Sequence, residues 1–235
     1  KTDILIAEAA APVFTCALQA SPRKKNHLIT KSDLTSNDSF LAQGGMCMLK
    51  EQSDYDSFFE DTMKAGHYEN DKKSVEIMIK PPRRLSGILS LTVPSSSEMK
   101  TAVLPTPKKA PIPPTVLFHE DVTGKEITST LLREVQKLSN VELLEYTTLV
   151  DILEKDNHCY GAVIRRPDGS LDTVTATYTV LASGGVGGLY RHSTNFRHLT
   201  GDALAIAGKH NIELQNPDYV QIHPTTFYTK HPEDR

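Results

Sequence analysis

The hydrophobic pattern gives two ordered stretches separated by one with no period. Near the amino-terminal end Asp3-Ile4-Leu5-Ile6 is a short apolar run, the mark of a strand buried on both faces. His27 to Lys31 predicts a second strand. Ser57 is a candidate cap for a helix carrying Phe58, Phe59, Thr62 and Met63 and stopping at Gly66. Thr123-Gly124-Lys125-Glu126 has the form of a capping box, in which two side chains satisfy free backbone N–H groups. The helix behind it sets Ile127, Leu131, Val135 and Leu138 on one stripe. Val141 to Tyr146, Cys159 to Arg166 and Leu171 to Ala182 read as strands, with Pro167-Asp168-Gly169-Ser170 turning between the last two. A short helix, Ala203 to Lys209, follows Gly201-Asp202 and ends near Asn211.

The stretch without a period is rich in proline and serine. Eight of the 14 prolines crowd into residues 81–114, and each fixes φ and removes a backbone donor. Neither a helix nor an interior strand is expected there. Strands alternating with helices on either side, with a β-meander in the middle, indicate an α/β nucleotide-binding architecture.

Charge and composition narrow the function classes. Lys+Arg 26 against Asp+Glu 29 leaves a net charge of −3, which argues against a nucleic-acid footprint. With 38% apolar residues the chain can build a core, and the balanced charge also argues against wholesale disorder. No run approaches the roughly 20 apolar residues that a membrane span needs. Lys1-Thr2-Asp3 leads directly into the first strand with no cleavage pattern, so no leader is expected. Cys16, Cys47 and Cys159 are widely spaced and odd in number, which argues against a disulfide framework or zinc site and for the cytoplasm. The histidines form no ligand cluster, and no metal is expected.

Five segments carry candidate chemistry. The turn after the first strand, Ala7-Glu8-Ala9-Ala10-Ala11-Pro12-Val13, lacks the glycines by which a backbone approaches a pyrophosphate. Ser39-Phe40-Leu41-Ala42-Gln43-Gly44-Gly45 ends in a glycine pair that permits close approach to a flat ligand, although an ordinary loop has the same look. Ala182-Ser183-Gly184-Gly185-Val186-Gly187-Gly188 spends four glycines just past a strand, as a ligand or a tight chain crossing requires. Thr200-Gly201-Asp202 is either a simple cap or a helix start that meets a ribityl or phosphate group. His223, held before Pro224, is placed to bind an anion or move a proton, and is equally readable as a surface residue.

Taken in order, these segments resemble one family. Asp3-Ile4-Leu5-Ile6, Ile29-Thr30-Lys31, Ala42-Gln43-Gly44-Gly45, Asp121-Val122-Thr123-Gly124, Leu181-Ala182-Ser183-Gly184-Gly185, Thr200-Gly201-Asp202 and His223-Pro224-Thr225 are similar to the amino-terminal FAD-binding portion of the L-aspartate oxidases. That family is related to the flavoprotein subunits of fumarate reductase and succinate dehydrogenase. The resemblance implies a Rossmann-like FAD-binding domain with a β-meander, its first part over 1–80 and its second over 116–222. Residues 81–115 are an aberrant Pro/Ser-rich segment expected to be irregular, and 223–235 would open a capping domain that the chain leaves unfinished. It implies an oxidoreductase: hydride transfer from L-aspartate to flavin, with oxygen or fumarate as oxidant. The product, iminoaspartate, would pass to quinolinate synthase for pyridine nucleotide (NAD) biosynthesis. Lys31, Ser39, Phe40, Ala42, Gln43, Gly44, Gly45, Val150, Ser183, Gly184, Gly185 and Asp202 would line the FAD, and His223 would contact the substrate carboxylate. A dicarboxylate-reducing relative and a non-catalytic remnant are the alternatives.

Two family signatures are missing, the glycine fingerprint at residues 7–15 and a substrate loop just before Val116. Read one nucleotide earlier, Ala7 to Thr15 can encode Gly-Ser-Gly-Gly-Ala-Gly-Leu-Tyr. With the same offset, Ser90 to Pro113 can encode a string containing Thr-Lys-Glu-Gly-Ala-His-Ser, whose glutamate suits the ammonium of an amino acid. Paired compensating frameshifts are the expected cause, and weak or absent FAD binding the expected consequence.

Overall fold

The computed structural model describes residues 1–8, 10–43, 45–49, 51–80, 100–103, 115–118 and 122–222. Contacts divide the chain into two compact units, Lys1–Asp38 with Glu134–Arg235, and Ser39–Arg133.

The first unit is built on a parallel sheet. Strand β1 (Ile4–Ala7) lies between β2 (Asn26–Ile29) and the strand Tyr178–Leu181, and β2 pairs on its far side with Val141–Leu144, every pairing parallel. A continuous apolar run suits the middle of such a sheet, where both faces are covered. Alternate residues therefore serve different cores. Leu5, Ala7 and Ile29 join a cluster with Leu149, Ile152, Ala162, Ile164, Val174 and Ile206. Ile6 and Leu28 point the other way and are just as completely buried. Helix α1 (Ala11–Gln19) links β1 to β2, accepts Pro12 in its first turn, where the missing N–H is not needed, and buries Val13, Phe14 and Ala17.

A three-stranded antiparallel meander follows: Thr148–Lys155, His158–Arg165 and Leu171–Thr175. Its first turn is the two-residue loop Asp156-Asn157, with φ of 54° and 57°. Positive φ at both positions gives the turn a twist that matches the flanking strands. The second turn is closed by Gly169 N–H donating to Arg166 O and by the Asp168 carboxylate accepting from Ser170. A last helix (Asp202–Lys209) ends beside the meander, where Asp151 accepts from Lys209 and, at 2.7 Å, from His210.

The second unit carries two packed helices, Tyr55–Ala65 and Lys72–Ile79, around Met63, Val75 and Ile79. It also holds a small antiparallel sheet in which Thr115–Phe118 is the middle strand, between Met46–Met48 and Lys100–Val103.

Several expectations need correction. Ser57 is not the cap: the helix starts at Tyr55, after a 3-10 turn at Gln52–Asp54, and the Glu51 N–H donates to Asp54 there. The capping-box helix begins at Thr123 itself and runs to Gln136. Leu171 to Ala182 is not one strand: it breaks after Thr175, so one part closes the meander and the other enters the parallel sheet. Lys100–Val103 forms a strand inside the segment expected to be irregular, in a proline-free stretch and at a sheet edge. The strand Thr148–Lys155 and the helices Ala11–Gln19 and Lys72–Ile79 were not foreseen.

Two outcomes test this packing. Gly161 sits at φ +135°, and an added Cβ would stand 2.0 Å from the Val174 carbonyl oxygen. Gly161→Ala is expected to lower unfolding free energy by about 2 kcal/mol or more in urea melts, from backbone strain and overpacking together; a loss under about 0.5 kcal/mol would refute the assignment. The Asp151 carboxyl is held down to about 2, first by the Lys209 ammonium and then by His210. A depressed carboxylate stabilises fully above its ordinary value near 3.9 and loses that contribution as pH falls toward 2. The stability difference between the native chain and Asp151→Asn should therefore shrink between about pH 4 and 2.

Candidate functional site

The site starts from the end of β2. Thr30 is buried, its N–H donates to Leu144 O, and this pins the following residue, Lys31, at the carboxyl edge of the sheet. The loop beyond is knitted around Asp33. Burial alone would raise its carboxyl, but the Ser36 and Thr35 hydroxyls and N–H groups outweigh it and hold it well below the usual range. Lys31 Nζ reaches across the sequence to Thr200 Oγ1 at 2.7 Å and to the Asp202 carboxylate at 2.9 and 3.2 Å. Thr200 in turn donates to Asp202 at 2.6 Å. Asp202 opens the last helix, where a carboxylate is favoured by the free N–H groups and the helix dipole. Ser183 completes that start, its Oγ accepting from Ala203 N–H at 3.0 Å.

Lys31 and Asp202 line a cavity of about 310 Å³ together with Thr148, Leu149, Val150, Arg165, Ala205 and Ile206. This is the low end of the roughly 300–1,000 Å³ that ligand pockets span. Val150 occupies a special place in its wall. The ladder pairs Leu149 with Ile164 and Asp151 with Val163, which leaves Val150 as the extra residue of a β-bulge. A bulged residue drops out of the ladder, so its backbone groups are open to another partner. Such a position can offer backbone hydrogen bonds to a ligand in the cavity.

Three of the expected cofactor residues, Lys31, Val150 and Asp202, are thus brought onto one cavity. Gly184 and Gly185 follow the strand Tyr178–Leu181. Gly184 has φ +71°, and a Cβ on Gly185 would meet nothing within 4 Å, so the backbone there is open to close approach. Ser39, Phe40, Ala42, Gln43 and Gly45 belong to the second unit, where the Ala42 carbonyl accepts from Gly124 N–H at 2.9 Å. Gly44 and His223 lie outside the described residues. Residues that sequence reasoning left out of the site are Thr200, Asp33 and Arg165. Thr200 was within reach, as it precedes the Gly201-Asp202 pair, whereas Arg165 carries no local signal.

The turn after β1 behaves differently. Glu8 has φ +94°, a backbone state suited to glycine, and its N–H donates to Ile29 O at 2.7 Å. Its side chain is buried and accepts from Thr30 Oγ1 at 2.9 Å. The turn thus holds a residue in a conformation that suits glycine, and that residue brings a buried carboxylate bonded to Thr30. The residues therefore fit the nucleoside end of a flavin nucleotide and do not fit its pyrophosphate.

The FAD binding domain family matches residues 14–234, beginning just past this turn. Among curated proteins, the L-aspartate oxidase of Clostridium perfringens is 33% identical over 234 residues, 99% of this chain and 53% of its own length. That of Clostridium acetobutylicum is 32% identical, over 100% of this chain and 54% of its own. This chain spans about half the length of both relatives. Among solved structures, E. coli quinol fumarate reductase superposes with TM-score 0.76 at 22% identity, covering 89% of this chain and 37% of that one. A flavocytochrome c3 fumarate reductase gives 0.69 at 23%, covering 88% and 40%. These two likenesses show the fold, a parallel nucleotide-binding sheet with an antiparallel meander. By the length of the match and the arrangement of its strands, the chain belongs to the FAD binding domain family.

Proposed function

We propose that this chain is the FAD-binding portion of a flavin-dependent oxidase of L-aspartate, weakened by its own β1 turn. The observation that carries the reading is the Lys31–Thr200–Asp202 cluster on the cavity beside the bulged Val150. The similarity to two L-aspartate oxidases over nearly the whole chain supports the substrate. FAD, when bound, supplies the hydride acceptor for an amino-acid C–H bond. Asp202, held in place by Lys31 and Thr200, offers carboxylate oxygens to sugar hydroxyls, and Val150 offers backbone to the adenine. Gly184 and Gly185 let the chain pass close to the flat ring. His223 is assigned to the substrate carboxylate on the strength of the family pattern. The product would be iminoaspartate, a hydrolysable imine suited to immediate transfer to quinolinate synthase.

Glu8 works against this. Its carboxylate is buried in the turn where the family pattern puts glycines beside a pyrophosphate, and it takes up Thr30. Each charge-assisted hydrogen bond to phosphate contributes about 1.5–3 kcal/mol, so losing even one weakens binding by tenfold or more.

Two outcomes follow. Glu8→Gly should tighten FAD about tenfold or better in flavin-fluorescence titration, and it should raise the melting temperature by relieving left-handed strain of about 1 kcal/mol. Unchanged affinity would show that this turn does not meet the cofactor. In a full-length protein with the glycine fingerprint restored, anaerobic L-aspartate should bleach the bound flavin and succinate should not. The reverse preference would assign the chain to the dicarboxylate-oxidising relatives.

A further inference from the structure

The cavity holds a cation that the reading above leaves idle. Its lining carries three charges, on Lys31, Asp202 and Arg165. Lys31 and Asp202 neutralise each other at 2.9 Å. Arg165 closes its strand opposite Thr148 and is exposed, and among the described residues no hydrogen bond or ion pair engages its guanidinium. The neighbouring Arg166 is different, donating twice to Asp172 at 2.6 and 3.1 Å. Apart from Thr148, the rest of the wall is apolar: Leu149, Val150, Ala205 and Ile206.

An unneutralised guanidinium beside an apolar wall suits one kind of partner better than another. A phosphate placed there would find as further donors only the Thr148 hydroxyl and Lys31, which is already paired with Asp202, among four apolar neighbours. A flat heteroaromatic ring instead buries its faces against Leu149 and Val150. Guanidinium is the cation that stacks on such a ring while keeping its edge donors free for ring nitrogens. We propose that Arg165 is the residue by which this cavity recognises a purine, and so selects the adenine dinucleotide over the flavin mononucleotide. The proposal rests on the reading of the cavity as the nucleoside end of the cofactor site.

The test is isothermal titration of adenosine, ADP and FMN into the chain as it stands and into its Glu8→Gly variant. Each is compared with Arg165→Ala and Arg165→Lys. Arg165 is exposed at a strand end, so circular dichroism should show both variants folded like the parent. The expected result is about a tenfold loss for adenosine and for ADP in Arg165→Ala, no change for FMN, and no recovery in Arg165→Lys, since lysine keeps charge but cannot stack as a plane. A loss for ADP alone, restored by lysine, would overturn base recognition in favour of a phosphate contact. Equal adenosine binding with and without Arg165 would overturn the inference while leaving the cavity assignment standing. Adenosine binding by neither the native chain nor Glu8→Gly would remove both.

Discussion

Lys31 and Asp202 are 171 residues apart in sequence, yet their ion pair is where the parallel sheet, the last helix and the cavity meet. Lys31 is delivered by β2, whose register against β1 and Val141–Leu144 is fixed by parallel pairing. Asp202 is delivered by a helix that is held at both ends, by Ser183 at its start and by Asp151 at its finish. Both charged side chains are about one-fifth exposed, so the attraction is only partly screened. A surface pair would be worth little. This one also sets which carboxylate lone pairs remain for a ligand.

The parallel sheet and the meander were legible because they rest on period. A buried strand shows as an apolar run, and Pro167 to Ser170 announces its turn by residue type. The strand Thr148–Lys155 was missed for a physical reason: its bulge at Val150 breaks the alternation that reveals strands, and its turn is Asp-Asn rather than the glycine-bearing pair that usually marks a hairpin. The break after Thr175 was equally hidden, since Ala176 and Thr177 differ little from strand residues and only the choice between two sheets separates them.

The site shows the same division. Lys31 and Asp202 stood out through family spacing, and the structure adds that they bind each other. Arg165 could not be found from sequence, because its meaning depends on Thr148 lying opposite and on Lys31 already being spent. Glu8 is the instructive case. Its side chain says that the turn is not a cradle, while its backbone, at φ +94°, takes a conformation that suits glycine. The conformation is imposed by the passage from β1 to α1 and by the Ile29 carbonyl, not by the residue that occupies it.

The placement of β1 between β2 and Tyr178–Leu181 has a consequence for how the chain is made. The meander closes through turns of a few residues and can assemble as it leaves the ribosome, whereas the last neighbour of β1 arrives only after some 170 residues more. Until then the most apolar strand of the sheet has an open flank, with unpaired amides and carbonyls able to accept a strand from another molecule. Translation pauses or breaks anywhere before Tyr178 therefore leave nascent chains with an adhesive edge, which makes them natural clients for a chaperone.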